Sequence, residues 1–128
     1  MTEAGPEVLL VGHCAPDAAM LRMAVRRAVP EANVVSVTDQ AAFEAALPKA
    51  RYALVNRVLD GSFDVELGVD LMRGRDATWS LISRYADAQQ EACKAGAAEG
   101  FDKGQLYEAR TLEIIRGACT APRKDHTP

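Results

Sequence analysis

Short apolar runs that alternate with longer amphipathic stretches constrain this chain more than any other feature. Strands are expected at residues 8–11, 34–37, 52–55, 79–83 and, more weakly, 100–102. Residues 8–11 and 52–55 are apolar throughout, which is typical of strands buried on both faces. Strands separated by helices of about ten residues favour a parallel sheet with right-handed crossovers.

Proline, glycine and polar capping residues mark the ends of the helices between these strands. Pro16 suits a first helical turn, and Pro30 and Pro48 end the first and second helices. Either Thr38 or Asp39 can cap the second helix. The inner faces and ends of the helices are expected at Met20, Leu21, Ala24, Val25 and Ala28; at Phe43, Ala46 and Leu47; at Val65, Leu67, Val69, Leu71 and Met72, ending at Gly74; from Asp87 to Gly96; and at Leu106, Ala109, Leu112, Ile114 and Ile115, ending at Gly117.

Five strand–helix units of this length predict an α/β fold of the flavodoxin-like, doubly wound type. The expected parallel sheet has the strand order 2-1-3-4-5, with a functional crevice at the carboxyl ends of the first and third strands. We expect one domain over residues 7–118, with flexible ends at residues 1–6 and 119–128.

Charge and composition exclude several classes of partner. The 128 residues carry 15 Lys+Arg against 18 Asp+Glu, a net charge of −3, with no basic run and only 5% aromatic residues. This predicts no nucleic-acid platform and no anionic-membrane binding. No apolar run approaches the roughly 20 residues that span a bilayer, and the N-terminus lacks the basic region of a signal peptide. A cytoplasmic protein is expected.

The three cysteines are widely spaced and form no CxxC pair, so no zinc frame or disulfide is expected. Cys93 is expected to pack in the core and Cys119 to lie exposed in the tail. Cys14 precedes the first helix, and a thiol at a helix N-terminus can be activated. A thiol switch at Cys14 is therefore one hypothesis for function.

Polar residues follow the strands and should meet at one rim of the sheet. The candidates are Gly12, His13, Asn56, Ser83 and Lys103. The phosphate-binding patterns GxxxxGK[ST] and GxGxxG are absent, so no nucleotide cofactor is predicted.

The sequence resembles the receiver domain of bacterial response regulators over about residues 7–118. Residues 8–17 resemble that family's opening strand, acidic loop and first helix, and residues 52–56 occupy the place of the strand that delivers the phospho-acceptor Asp. Residues 81–87 are similar to the fourth strand with its hydroxyl residue, and residues 95–103 to the segment leading to a signature Lys. The resemblance implies phosphoryl chemistry supported by Mg²⁺ on three acidic residues, with Ser83 and Lys103 in matching places.

The chain departs from that pattern where the chemistry would occur. Gly12 and His13 stand in place of the acidic pair, and Asn56 stands in place of the acceptor. The Asn56 carboxamide is a poor nucleophile. Gly12 and neutral His13 supply no side-chain oxygen ligands for Mg²⁺. Lys103 is followed by Gly104 instead of the family's usual Pro, and Phe101 lies one residue closer to Lys103 than usual. We therefore predict no catalytic residue, no metal, and a pocket fixed by neutral hydrogen bonds from Asn56 to Lys103 or Ser83.

The predicted function is that of a stand-alone, non-enzymatic, phosphorylation-independent receiver that binds a protein partner, with a homodimer as one candidate. Its output face would be formed by the fourth helix, fifth strand and fifth helix, around Tyr85, Phe101 and Leu106. A second hypothesis is a small-ligand or anion sensor that uses Lys103, Ser83 and His13.

Overall fold

The protein folds as one parallel sheet covered by helices on both faces. The computed structural model describes residues 5–120. Its strands are β1 (Glu7–Val11), β2 (Asn33–Val37), β3 (Tyr52–Asn56), β4 (Trp79–Ile82) and β5 (Ala98–Phe101). Its helices are α1 (Ala15–Ala28), α2 (Gln40–Ala46), α3 (Gly68–Met72), α4 (Ala86–Lys94) and α5 (Ala109–Thr120), with 3₁₀ turns at Leu47–Lys49 and Lys103–Gln105.

The strand order is β2-β1-β3-β4-β5 and every pairing is parallel, which confirms the predicted flavodoxin-like fold. In this topology the strands of the sheet deliver their carboxyl ends to one edge. Asp39 is the cap of α2, since its carboxylate accepts a hydrogen bond of 2.7 Å from the backbone N–H of Ala42.

Two apolar layers sandwich the sheet because successive strand residues point to opposite faces. Leu10 and Leu54 pack beneath α1 and α5, while Leu9 and Val55 pack beneath α2, α3 and α4. Their side chains are fully buried, which confirms that β1 and β3 are central strands covered on both sides.

The predicted third helix is shorter than its apolar stripe suggests. Residues 57–67 form a loop in which Val58 pairs antiparallel with Leu67, and α3 begins only at Gly68. Val65 and Leu67 are exposed because strand-like pairing in the loop holds them outside the helix. The expectation that they line a helical inner face is wrong.

Three further expectations about burial are wrong. Cys119 is buried in the last turn of α5, which continues through Gly117 to Thr120, so residues 119 and 120 belong to the helix. Cys93 is exposed on α4 instead of packed in the core. Met20 lies on the outer side of α1, since the inner stripe is completed by Ala18 and Leu21. Residues 1–4 and 121–128 of the predicted flexible ends lie outside the described residues.

A β-bulge sets the path of β5 toward the edge of the sheet. Ser80 pairs with Ala98, but Ile82 pairs with Phe101, so β5 carries one residue more than β4 between these pairs. Gly100 lies in this bulge, where a Cβ atom would be 2.3 Å from the carbonyl oxygen of Leu81. Glycine is therefore required there, and the bulge turns Phe101 into the core.

Within residues 5–120, no helix combines the length and the apolar character that crossing a bilayer requires.

Candidate functional site

Gly12 forms the centre of the site at the carboxyl end of β1. Its φ of +72° lies in the left-handed region that glycine adopts without strain. Its carbonyl oxygen accepts one hydrogen bond from the Asn56 side-chain amide (2.8 Å) and one from the Asp60 backbone N–H (2.9 Å). The Gly12 N–H donates to the carbonyl oxygen of Val37 (3.0 Å). One glycine thus ties together the ends of β1, β2 and β3.

The loop 57–67 closes over this glycine. A Cβ atom on Gly12 would lie 2.6 Å from Cδ2 of Leu59, so the Leu59 side chain occupies the space directly above it. Ser62 in the same loop exchanges backbone hydrogen bonds with Thr38 (2.8 Å) and Gln40 (2.9 Å) at the end of β2. The space beyond β1 is filled by the protein's own loop.

Asn56 bonds to a different partner from those predicted. Its Nδ2 donates a hydrogen bond to the Gly12 carbonyl oxygen. The predicted partners of the Asn56 side chain were Lys103 and Ser83. The interaction is neutral and short, and it lies inside the site. Asn56 therefore forms a neutral hydrogen bond, as predicted, but the predicted partners are wrong.

His13 is a core residue and is not part of an open pocket. Its ring is 1% exposed, and Nε2 lies 2.9 Å from the carbonyl oxygen of Leu54, so Nε2 carries the proton and Nδ1 does not. Nδ1 has no hydrogen-bond partner within residues 5–120. Burial lowers the pKa of His13 to about 4, so the ring is neutral at physiological pH. The expectation that His13 faces a ligand in the pocket is wrong, because the ring turns beneath the sheet edge to bond Leu54.

Lys103 reaches the site and forms an ion pair with Asp17 in the first turn of α1. Both side chains are partly buried. The Lys103 ammonium group, acting chiefly through its hydrogen bond, lowers the pKa of Asp17.

Asp17 is the site residue that sequence reasoning missed. It lies outside the acidic positions of the receiver pattern, yet it stands in the first turn of the helix that follows β1. Because that turn opens at the carboxyl edge of the sheet, the position of Asp17 in the helix was the available signal. Cys14, three residues earlier in the chain, makes a smaller contribution than Lys103 to lowering the pKa of Asp17.

Ser83 lies at the mouth of the site and holds the following turn. Its hydroxyl oxygen accepts from the Tyr85 N–H (3.1 Å), and its carbonyl oxygen accepts from the Gln89 side-chain amide (3.0 Å). Ser83 therefore shapes the entry to α4 while its hydroxyl group lines a cleft.

That cleft has a volume of about 490 Å³ and lies between the ends of β3, β4 and β5. Lys103, Ser83 and Asn56 share its wall, as predicted, but Gly12 and His13 do not line it. Its lining residues are Asn56, Arg57, Val58, Ile82, Ser83, Arg84, Tyr85, Asp102, Lys103 and Gly104.

Of the three residues predicted for the output face, only Tyr85 is exposed. Tyr85 is 43% exposed, but Phe101 and Leu106 are 4% and 2% exposed and belong to the core beneath α1 and α5. The bulge in β5 turns Phe101 inward, and Leu106 closes the 3₁₀ turn that precedes α5. Phe101 and Leu106 are therefore wrong as contact residues.

The residues at the edge do not fit Mg²⁺, the ion that the receiver fold implies. Mg²⁺ prefers several carboxylate or water oxygens in octahedral geometry. Here the Asn56 amide faces Gly12, the His13 ring is buried against Leu54, and Asp17 is neutralised by Lys103. Within residues 5–120, no group of three or more His, Cys, Asp or Glu side chains is arranged to hold a metal ion.

The thiol-switch hypothesis for Cys14 stays a prediction. Cys14 is half-buried and precedes α1 with an extended backbone. The alkylation rate of the folded protein tests it, since a rate matching that of a free peptide thiol would contradict a switch.

No protein-family model matches the sequence, and no curated protein matches it. Solved structures do match. The receiver domain of a DNA-binding response regulator (merR) from Colwellia psychrerythraea 34H is 14% identical, with a TM-score of 0.66 over 87% of this chain and 95% of that one. A response regulator from Thermotoga maritima is 19% identical (TM-score 0.65; 91% and 99% covered).

The response regulator RPA3017, from red light signalling in R. palustris, is 20% identical, with a TM-score of 0.62 over 88% of this chain and 90% of that one. At this level of identity the likeness concerns the fold. The strand order and the helices on both faces of the sheet agree with it. This chain has the fold of response-regulator receiver domains.

Proposed function

We propose that this protein is a receiver-fold signalling module of the bacterial cytoplasm that works without phosphorylation, by binding another protein. It has no enzymatic activity in this proposal. The observation that carries the proposal is the pair of hydrogen bonds that Asn56 and Asp60 donate to the carbonyl oxygen of Gly12.

The groups on which phosphoryl transfer would depend already contact other residues of the protein. The Asn56 amide is neutral, is a poor nucleophile and is directed to a backbone oxygen. The ammonium group of Lys103 is neutralised by Asp17. With Leu59 above Gly12, the edge of β1 is closed. These contacts favour one fixed conformation of the site.

The binding surface that we propose consists of α4, β5 and α5. The Arg110 guanidinium on α5 forms an ion pair with Glu99 on β5, so charged groups cover the strand between the helices. On α4, the Gln89 amide lies against the Gly100 backbone of β5, and Glu91 approaches Arg73 beside α3. Cys93, one turn after Gln89, therefore lies on the β5 side of α4 and is exposed.

The first experiment tests whether the protein is phosphorylated. The purified protein is incubated with acetyl phosphate and Mg²⁺ and its intact mass is measured. We expect no phosphoryl adduct. A phosphoprotein that disappears in Asn56→Ala would overturn the proposal.

The second experiment tests the surface. A partner captured from extracts of the source organism is purified, and its affinity for this protein is measured by calorimetry. We expect Cys93→Arg to lower the affinity at least tenfold. Ala45→Arg, which adds the same side chain on the exposed face of α2, serves as the matched control.

Two results contradict the proposed surface: an unchanged affinity in Cys93→Arg, or an equal loss in Ala45→Arg. If a second copy of this chain is the partner, sedimentation equilibrium of the protein alone shows a dimer. Cys93→Arg then shifts that dimer to monomer.

A further inference from the structure

We infer that the cleft between the ends of β3, β4 and β5 binds a small organic anion, a phosphate or carboxylate joined to a small apolar group, without a metal ion. Arg57 and Arg84 would hold its charge. The inference rests on the cleft alone and does not require the partner-binding function.

The cleft has the size and the mixed lining of a small-molecule site. Its volume of about 490 Å³ falls in the range of such pockets, roughly 300–1,000 Å³. Val58 and Ile82 supply apolar wall and Tyr85 an aromatic one. Polar donors share the same cleft, so a ligand with one charged end and one apolar end matches both parts.

Tyr85 holds both guanidinium groups in place. The Cζ atom of Arg57 lies 4.8 Å from the ring centroid, and that of Arg84 lies 5.2 Å from it. Arg84 Nη2 also donates to the Tyr85 hydroxyl oxygen at 3.2 Å. Both positive charges therefore lie beside one aromatic ring, and both residues line the same cleft.

Neither guanidinium forms an ion pair with a carboxylate of residues 5–120. Asp102 lines the cleft, and its Oδ1 accepts from the Gly104 N–H (2.6 Å). Lys103 also lines it but is compensated by Asp17. One lining carboxylate therefore faces two guanidinium groups, which leaves excess positive charge in a protein whose net charge is −3.

The available donors suit phosphate and carboxylate oxygens. A guanidinium presents a planar fork of N–H groups that pairs with either anion in a bidentate manner. The Ser83 hydroxyl oxygen already accepts from Tyr85, which leaves its proton for a ligand oxygen. Helix α4 starts at Ala86, immediately after Tyr85, so the positive end of its dipole adds to the attraction.

The test is calorimetric titration in EDTA with phenyl phosphate, benzoate and inorganic phosphate, combined with amide NMR shifts. We expect saturable binding of phenyl phosphate or benzoate, tighter than that of inorganic phosphate, with shifts at residues 57–58 and 83–85. Comparison of the two aromatic probes identifies phosphate or carboxylate as the preferred group. Arg57→Gln and Arg84→Gln should each weaken binding at least tenfold.

Arg26→Gln is the matched control, because Arg26 is an exposed arginine near the last turn of α1 and its removal should leave affinity unchanged. The thermal midpoint of each variant without ligand verifies folding. The inference is overturned if no aromatic probe saturates the shifts, if both cleft variants bind as the wild type does, or if Arg26→Gln weakens binding equally.

Discussion

The Lys103 ammonium group is paired with the Asp17 carboxylate, 86 residues earlier in the chain. The pair joins the turn after β5 to the first turn of α1. It brings a negative charge to the edge of the sheet from a helix instead of from the loop that follows β1. The positive charge of Lys103 is therefore compensated within the protein.

Removing this carboxylate should cost little stability at neutral pH and nothing in acid. Because the folded-state pKa of Asp17 lies below its usual value, its stabilising effect is present above the unfolded-state pKa. That effect is lost as the pH falls below about 4. We expect Asp17→Asn to lower the free energy of unfolding by about 1 kcal/mol at pH 7, since the pair is partly exposed. Urea unfolding at pH 7 and pH 3 measures the difference.

Asp70→Asn is the control for this comparison. Asp70 also pairs with a cation, Arg73, but at 3.7 Å and with both side chains about half exposed. Its removal should cost less than about 0.5 kcal/mol. A cost for Asp17→Asn that is equally large at pH 3 would contradict a role of the ion pair.

His13 should make the protein less stable in mild acid. The folded-state pKa of about 4 lies below the unfolded value of 6.5, so the unfolded chain binds the extra proton first. Stability is therefore full above pH 6.5 and falls as the pH decreases toward 4. We expect a loss of about 2 kcal/mol between pH 7 and pH 5.

Urea unfolding across that range tests the prediction. His13→Gln should be less stable at pH 7, because Leu54 loses its imidazole partner, but its stability should change little down to pH 5. A wild-type profile that is flat from pH 7 to pH 5 would contradict the lowered pKa of His13, because it would mean that the folded protein takes up protons as readily as the unfolded chain.

A carboxylate at position 56 should destabilise the site without restoring phosphoryl chemistry. In Asn56→Asp the donor to the carbonyl oxygen of Gly12 is replaced by an oxygen that repels it. We expect a loss of about 1–3 kcal/mol at pH 7. The loss should shrink as the pH falls and the new carboxyl group is protonated.

Asn33→Asp, on the exposed first residue of β2, is the matched control and should change stability by less than about 0.5 kcal/mol. Intact-mass measurement after incubation of Asn56→Asp with acetyl phosphate and Mg²⁺ should show no adduct, because Gly12 and His13 supply no acidic ligands. A stable adduct in this variant would mean that the acidic pair is not needed.

Gly12 and Gly117 should respond oppositely to alanine. Gly12→Ala places a Cβ 2.6 Å from Leu59 Cδ2 at a φ of +72°, so we expect a loss of about 1–3 kcal/mol. Leu59→Ala in the same chain should relieve the contact but not the backbone strain.

Gly117 lies inside α5 with open space around it, so Gly117→Ala should raise stability by about 1 kcal/mol. Thermal unfolding of the three variants tests both directions; a neutral Gly12→Ala would contradict the close approach of Leu59.

The fold could be predicted because its signals are local and repeated. The apolar runs of β1 and β3, the cap at Asp39 and the breaks at Pro30 and Pro48 each specify their element without knowledge of distant contacts. Predictions failed where tertiary contacts decide the outcome. The stripe from Val65 to Met72 is helical in its spacing, but pairing between Val58 and Leu67 removes its first half from the helix.

Which residues lie at the site could be predicted better than the contacts that they make. Asn56, Ser83 and Lys103 follow strands, and a parallel sheet brings such positions to one edge. Their partners are set by side-chain direction, which adjacent residues do not reveal. His13 turns into the core although Gly12 lies at the centre of the site, and Asp17 reaches Lys103 from a helix. Arg57 and Arg84 both lie beside the ring of Tyr85, an arrangement that depends on side-chain direction in the folded protein.

The loop over Gly12 is fastened to the rest of the protein by four hydrogen bonds: from the N–H of Asp60 to Gly12, of Ser62 to Thr38, of Gln40 to Ser62, and of Asp64 to the side-chain oxygen of Gln40. Each contributes about 1 kcal/mol net, so a rearranged loop would lie about 4 kcal/mol higher and occur in roughly one molecule in a thousand. A ligand that needs the rearranged loop would lose affinity by the same factor of about a thousand. Binding at this edge therefore favours a partner whose surface fits the loop in its existing conformation.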